Sequence, residues 1–324
     1  MPPSGAVLVT GGAGYVGSHA AKALAEAGRR VVVLDDLSAG RREFLRWGTF
    51  VEGDAGDEAL VETVCQEHGV TAAMHFAGRI VVEESVADPA GYWAANVDVT
   101  ERLASALVRS GVRHLVFSSS AAVYGAPSID PIPEALPMLP ESPYGRTKAE
   151  AERRLAATGL AVAALRYFNA AGADFAAGLG EAHSPETHLI PLVVRAALDP
   201  KPLMVFGCDW ATKDGTCVRD FIHVSDLADA HLLALERIES GRGGGVWNLG
   251  SGQGSTVLEV IAAVQRATGK TVHVVYGKRR SGDCASLVAD ATKARDELGW
   301  VPRRSRLDRI VADALAFAER GAVA

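Results

Sequence analysis

The chain has 324 residues, enough for one large domain or two packed closely together, and its 48% hydrophobic share fills a sizeable core. A net charge of −6 and a pI of 5.9 leave no basic footprint for nucleic acid, so any anionic ligand must be met by a few local arginines. No apolar stretch approaches the ~20 residues of a membrane span, and the start MPPSG lacks the parts of a signal peptide, so the expected setting is cytoplasmic with no membrane partner.

From residue 6 onward, short β-branched runs alternate with helical stretches; the runs cover residues 7–10, 31–34, 50–51, 72–76, 114–118 and 162–166. Six such alternations predict the α/β class, with a Rossmann-like, doubly wound parallel sheet and right-handed crossovers. Both faces of that sheet are buried, which explains strands that read as nearly unbroken apolar runs. Residues 1–175 form this first unit. The rhythm then breaks, and residues 176–223 and 253–324 read as a smaller mixed α/β region, with the chain returning to the sheet at 224–252 through the strand-like VWNLG at 246–250. Residues 127–143 carry six prolines and read as a long ordered loop, a kind of segment that usually borders a site.

The first run opens into Gly11-Gly12-Ala13-Gly14-Tyr15-Val16-Gly17, a strand followed by a glycine turn and a helix, with Asp35 ending the next run. Glycines let the backbone approach a pyrophosphate, and the helix N-terminus favours its charge. Asp35 accepts hydrogen bonds from ribose hydroxyls and repels a 2′-phosphate, which favours NAD over NADP; Arg41 and Arg42 argue the other way. Asp54, after the third run, is placed to touch adenine or merely to shape a Gly-Asp turn.

Ser142-Pro143-Tyr144-Gly145-Arg146-Thr147-Lys148 reads as a helix start, Ser142 capping and Pro143 in the first turn. Tyr144 and Lys148 then project from one face. The Ser118-Ser119-Ser120 cluster ends a strand of the same sheet, where ligands of such folds gather. A tyrosine base near neutral pH needs its pKa lowered by ~3 units, or ~4 kcal/mol. One ammonium ~4 Å away at an effective dielectric of ~20 supplies about that, so Lys148 suffices in principle. Ser120 is placed to hydrogen-bond the substrate oxygen whose proton moves. Cys65, Cys208, Cys217 and Cys284 lie far apart, and His75, His223 and His231 lack companions, so no metal site is expected.

Together with HFAG at 75–78, FSSSAAVYG at 117–125, YGRTK at 144–148, RYFNAAGA at 166–173, VRDFIHVSDLADAH at 218–231 and RRSGD at 279–283, the fingerprint resembles the extended short-chain dehydrogenase/reductases of the NAD-dependent epimerase/dehydratase family. Within that family the resemblance is to the UDP-glucose 4-epimerases. It implies NAD contacted by Gly11, Gly14, Tyr15, Val16, Gly17, Asp35, Asp36, Asp54, Phe76, Ala77, Gly78, Asn96, Tyr144 and Lys148. It implies Ser120, Tyr144 and Lys148 as catalytic residues. Ser120, Tyr144, Asn169, His188, Leu189, Phe206, Arg219, Arg280, Asp283 and Leu287 would meet a UDP-sugar whose C4 is inverted through a 4-keto intermediate. A homodimer joined through the Tyr144 helix and the helix near Asn96 to Val108 is also implied.

Four positions depart from the family pattern. Ile80 stands where a lysine often meets the NAD pyrophosphate, a loss that Arg79 is placed to make good. Ala122 replaces a threonine and His188 an asparagine. Leu287 gates the sugar pocket with a side chain of intermediate size, favouring plain hexoses and leaving N-acetylhexosamines or pentoses as the alternative. A nucleotide-sugar dehydratase would need an acid after the serine strand, where this chain has Ala121-Ala122. A non-catalytic NAD sensor would not need the tyrosine base.

Overall fold

A computed structural model describes residues 5–127, 129–199, 201–280 and 283–322. Residues 1–4 of the MPPSG start, Ser128 of the proline-rich segment and residues 281–282 of RRSGD lie outside the described residues.

The first half alternates β1 (Ala6–Thr10), α1 (Tyr15–Glu26), β2 (Arg30–Asp35), β3 (Thr49–Glu52), α2 (Glu58–His68), β4 (Val70–His75), the short α3 (Val82–Ala87) and α4 (Pro89–Trp93), α5 (Val99–Arg109), β5 (His114–Ser120), α6 (Pro143–Ala156) and β6 (Ala161–Tyr167). The second half adds β7 (Asn169–Ala171), β8 (Ala173–Asp174), β9 (Leu179–Gly180), α7 (Leu189–Leu198), β10 (Leu203–Phe206), β11 (Val218–His223) and α8 (Val224–Glu239). It continues through β12 (Gly245–Leu249), β13 (Gly254–Thr256), α9 (Val257–Thr268), β14 (Val274–Gly277), β15 (Ser286–Leu287), α10 (Thr292–Leu298) and α11 (Leu307–Ala322). Among the described residues no helix is long and apolar enough to cross a membrane.

The main sheet runs β12-β6-β5-β4-β1-β2-β3, and every pair in it is parallel. Side chains on β1 show why it is apolar from Ala6 to Val9. Val7 and Val9 enter one core with α1, α8 and Trp247, while Ala6 and Leu8 enter the other with α2, α5 and α6. The VWNLG strand joins β6 as expected, with Val246 opposite Ala164 and Trp247 opposite Leu165.

The strand order reverses at β1 and β4, whose carboxyl ends therefore open a crevice. The smaller strands gather beyond those ends: β11 pairs with β13, β15 and β7, and β10 with β14. Up to Ser142, where α6 is capped, the proline-rich segment has no helix among its described residues and is stitched to this region. Ile132 is fully buried, donates to the Val288 carbonyl at 2.8 Å and accepts from Asp290 N at 3.0 Å.

Candidate active site

At the end of β1 the chain turns at Gly11, whose φ of +73° suits glycine. A side chain there would strike Ala77 N at 2.4 Å, and one at Gly17 would strike the Gly11 carbonyl at 2.2 Å. The turn, the end of β4 and α1 are thus in backbone contact. α1 starts at N-cap Gly14 with no side-chain cap and no acid in its first turn, which leaves its positive end for an anion. This cradle fits a pyrophosphate. The Tyr15 hydroxyl is spent on the Gly172 carbonyl at 2.6 Å, so Tyr15 and Val16 offer their backbone N–H groups instead.

Asp35 ties the turn to β2: one carboxylate oxygen accepts from Ala13 N and the other from Leu37 N, both at 2.9 Å. Each oxygen keeps a lone pair for a hydroxyl. Asp36 and Asp54 are exposed and each shapes its own loop, Asp36 through Ser38 and Asp54 through Gly56 N at 2.8 Å. The arginines that argued for a 2′-phosphate are engaged elsewhere, Arg41 on the Ala182 carbonyl and Arg42 on Glu52.

Beyond β4, Phe76 N and Ala77 N both donate to the Thr10 carbonyl, and Gly78 leads to Arg79. Asn96 sits behind this strip rather than facing it. Its side-chain oxygen accepts from Arg79 N at 2.8 Å, and its amide donates to Arg79 O at 2.9 Å and Thr147 Oγ1 at 3.1 Å. Its polar atoms are spent on protein, so Asn96 buttresses the strip and α6 instead of reaching a ligand. Arg79 does not replace the lysine missing at Ile80: its guanidinium pairs with Asp88 at 2.6 Å and lies over the Tyr92 ring.

The catalytic candidates converge at the end of β5. Ser142 caps α6 by accepting from Gly145 N at 3.0 Å, with Pro143 in the first turn, as expected. Lys148 is buried, donates to the Ser118 carbonyl at 2.9 Å and lies 5.1 Å from the centre of the Phe117 ring. Burial pulls its ammonium down to about 8, opposed by Glu152. Burial also raises the Tyr144 phenol, and the Ser120 hydroxyl opposes that rise. The expectation that Lys148 alone depresses the phenol is therefore not met in the protein by itself. Desolvation of the phenolate wins, and the lysine is drawn towards a carbonyl.

On the facing region, Asn169 of β7 donates to the Asp220 carbonyl at 2.9 Å, and His188 precedes Leu189 at the start of α7. Arg219 of β11 donates to the Val218 and Cys284 carbonyls and pairs with Asp283 at 3.1 Å. Asp283 thus holds Arg219 in place, a different task from contacting a ligand directly. Arg280 lies 4.0 Å over the Phe206 ring, covering the face expected for a base, and reaches Glu83 of α3 at 3.5 Å. Leu287 stands opposite Arg219 on β15 and packs with the cluster containing Ala121, Tyr124 and Phe168, beside the serine strand.

The NAD dependent epimerase/dehydratase family profile matches residues 7–250. The chain belongs to this family. A UDP-glucose 4-epimerase of Azospirillum brasilense is 49% identical over 317 residues, 96% of this chain and 91% of its own. The UDP-glucose 4-epimerase of Brucella ovis, solved with NAD, superposes with a TM-score of 0.93 at 46% identity, covering 96% of this chain and 98% of that one. The UDP-glucose 4-epimerase of Stenotrophomonas maltophila, solved with NAD and formylated UDP-arabinopyranose, gives 0.94 at 40% identity, covering 98% and 99%.

Some polar groups around this epimerase/dehydratase site were not singled out from the sequence. Ser118 Oγ and the Tyr167 hydroxyl are 2.5 Å apart, and Tyr167 is near enough to Tyr144 to feel its charge. Glu152 and Arg166 form a buried ion pair behind Lys148; the further four-residue step from Tyr144 and Lys148 to Glu152 was the available signal. Glu181, His183 and His188 bring potential ligand atoms within 4.8 Å of one another, which the sequence did not suggest. Both imidazoles already face carboxylates through Nδ1, His183 towards Glu181 and His188 towards Glu186 at 2.9 Å, so the group forms a carboxylate–imidazole network. Burial pulls the His188 pKa down, but Glu186 and Glu181 override it and raise it.

Proposed function

We infer that this protein inverts C4 of UDP-glucose and UDP-galactose through a 4-keto sugar, using NAD. The observation that supports this reading is the Ser120 hydroxyl on Tyr144, with Lys148 one turn along α6 and held on the same serine strand, in a chain of this family whose parallel sheet also ends in an uncapped, glycine-lined helix start.

Bound NAD supplies a hydride acceptor and donor for C4 of the sugar. Gly11, Gly14, Gly17 and the first N–H groups of α1 hold its pyrophosphate, Asp35 its ribose hydroxyls, and residues 1–175 with 224–252 form its bed. Residues 176–223 and 253–324 hold the UDP-sugar. Arg219 and Arg280 meet the diphosphate, which supplies locally the positive charge that the acidic chain lacks overall. Tyr144 takes the proton from the 4-hydroxyl and returns it after the keto sugar presents its other face, while Ser120 holds the same oxygen. Because burial raises the free phenol, its ionisation takes the Lys148 ammonium and the positive charge of the oxidised cofactor together. A charged nucleotide sugar does not cross a bilayer unaided, in keeping with a cytoplasmic enzyme.

A homodimer accompanies this reading. The outer faces of α5 and α6 carry ion pairs such as Arg154–Glu101, and the exposed apolar groups nearby are Val82, Val86 and Trp93 on α3 and α4. The interface is accordingly mixed, and a monomeric mass in solution would exclude it.

The direct test is to incubate the purified protein, without added cofactor, with UDP-galactose or UDP-N-acetylgalactosamine and to follow the C4 epimers by NMR. Conversion of the first alone is the expected result. Conversion of both would mean that Leu287 does not close the pocket, and no conversion even after NAD is added would overturn the reading.

A further inference from the structure

We propose that Glu152 is a positioning residue for this reaction, its carboxylate pinning the serine strand that holds Lys148 and supplying the negative charge that keeps that lysine an ammonium behind Tyr144. The proposal rests on Tyr144 being the base.

Tyr144, Lys148 and Glu152 follow one another at four-residue steps, forming one ridge of α6. A buried carboxylate is costly unless paired, and Glu152, only 8% exposed, is held on every side. Arg166 of β6 bonds it through both Nε, at 2.9 Å to one oxygen, and Nη2, at 2.5 Å to the other. The Ser119 hydroxyl donates to it as well. Arg166 is fixed in turn by the Tyr124 hydroxyl at 3.0 Å, which itself donates to Asn248 of β12 at 2.7 Å.

The strand that carries Ser120 is therefore pinned twice from α6, at the Ser118 carbonyl by Lys148 and at the Ser119 hydroxyl by Glu152. Other groups around Lys148 cannot do this work. The Phe117 ring of β5 lies beneath it, His75 of β4 is buried and neutral with its pKa pushed to about 3, and Tyr144 and Tyr167 are phenols. Arg166 is a cation whose charge Glu152 absorbs. Glu152 is the anion that acts on Lys148 and opposes the loss of its proton.

Removing that charge has a definite sign. Burial already draws Lys148 down to about 8, so without Glu152 it loses its proton at lower pH, and the Tyr144 phenolate loses its support. The alkaline limb of the kcat profile should move about one unit or more towards acid, as expected for an opposite charge taken from a buried neighbour.

The experiment uses the holoenzyme and compares Glu152→Gln, Glu152→Asp and the double change Glu152→Gln/Arg166→Met, which removes the arginine charge that the single change would strand. The expected result is a displaced alkaline limb and kcat at pH 8 lowered about fivefold or more, with KM for UDP-galactose within twofold. Glu152→Asp should restore the limb. A folded double variant with the wild-type pH profile would overturn the proposal, as would an equal loss of stability and rate in all three with no displaced limb. Failure of the underlying reading has a different signature: Tyr144→Phe would turn over at near the wild-type rate whatever stands at position 152.

Discussion

Gly17→Ala tests the cradle most directly, because its cost is set by backbone contacts. The new Cβ would lie 2.2 Å from the Gly11 carbonyl oxygen and 3.0 Å from Gly11 C and Gly12 Cα. Relief requires α1 and the turn to separate by about 1 Å. Such overpacking costs about 1–3 kcal/mol, of which the better helix propensity of alanine offsets ~1 kcal/mol. The folded state therefore loses at most ~2 kcal/mol, which for a chain of 324 residues is a fall in Tm of up to roughly 3 °C. The pyrophosphate loses more in proportion, since a hydrogen bond to a charged group stretched by that much forfeits about 1.5–3 kcal/mol, or roughly 10–100-fold in affinity. Cofactor content after purification, titration of added NAD by calorimetry and a thermal melt measure these quantities. A variant that co-purifies with full NAD and binds it with wild-type affinity would refute both the contact and the site assigned to it.

Tyr144→Phe should lower kcat by at least about 100-fold while UDP binding stays intact, measured by NMR turnover and calorimetry. Arg280→Ala removes the cation proposed to meet the diphosphate and uncovers Phe206; KM for UDP-galactose should rise about tenfold with little change in kcat. His188 has a raised pKa in the folded protein, so its positive charge is complete below the unfolded value of ~6.5 and fades as pH rises through the folded one. KM should therefore climb with pH above neutrality in the wild type and lose that climb in His188→Asn; an identical dependence in both would remove His188 from phosphate binding.

Local pattern carried the larger sheet well. The β-branched runs, the glycine turn and the Ser142-Pro143 helix start each depend on a few neighbouring residues, and all fold as read. What local pattern does not contain is the partner of a polar side chain far away along the chain. Asn96 looked available for a ligand until Arg79 and Thr147 were seen to consume its amide, and Asp283 until it was seen to hold Arg219. The same gap misplaced the electrostatics of Tyr144. Its depth and the direction in which Lys148 points are properties of packing between α6 and β5. The second region was harder to read because β7, β13 and β15 are two or three residues long, too short for a periodicity.

The position of β12 has a consequence for how the protein comes into being. Trp247 is wholly buried between β6 and the helices over it, yet it is translated after the entire first substrate-side segment. Until then β6 is an unpaired sheet edge and one core lacks one of its two buried tryptophans, so the nascent sheet stays open to wrong pairing while most of its strands are already made. The residues before and after position 175 are consequently not separable parts to be swapped or expressed alone. A chain cut after residue 175 keeps the fingerprint, the serine strand and the tyrosine helix in six of the seven strands, but loses the edge strand β12 and, with α8 and Trp247, the cover of one face of that sheet.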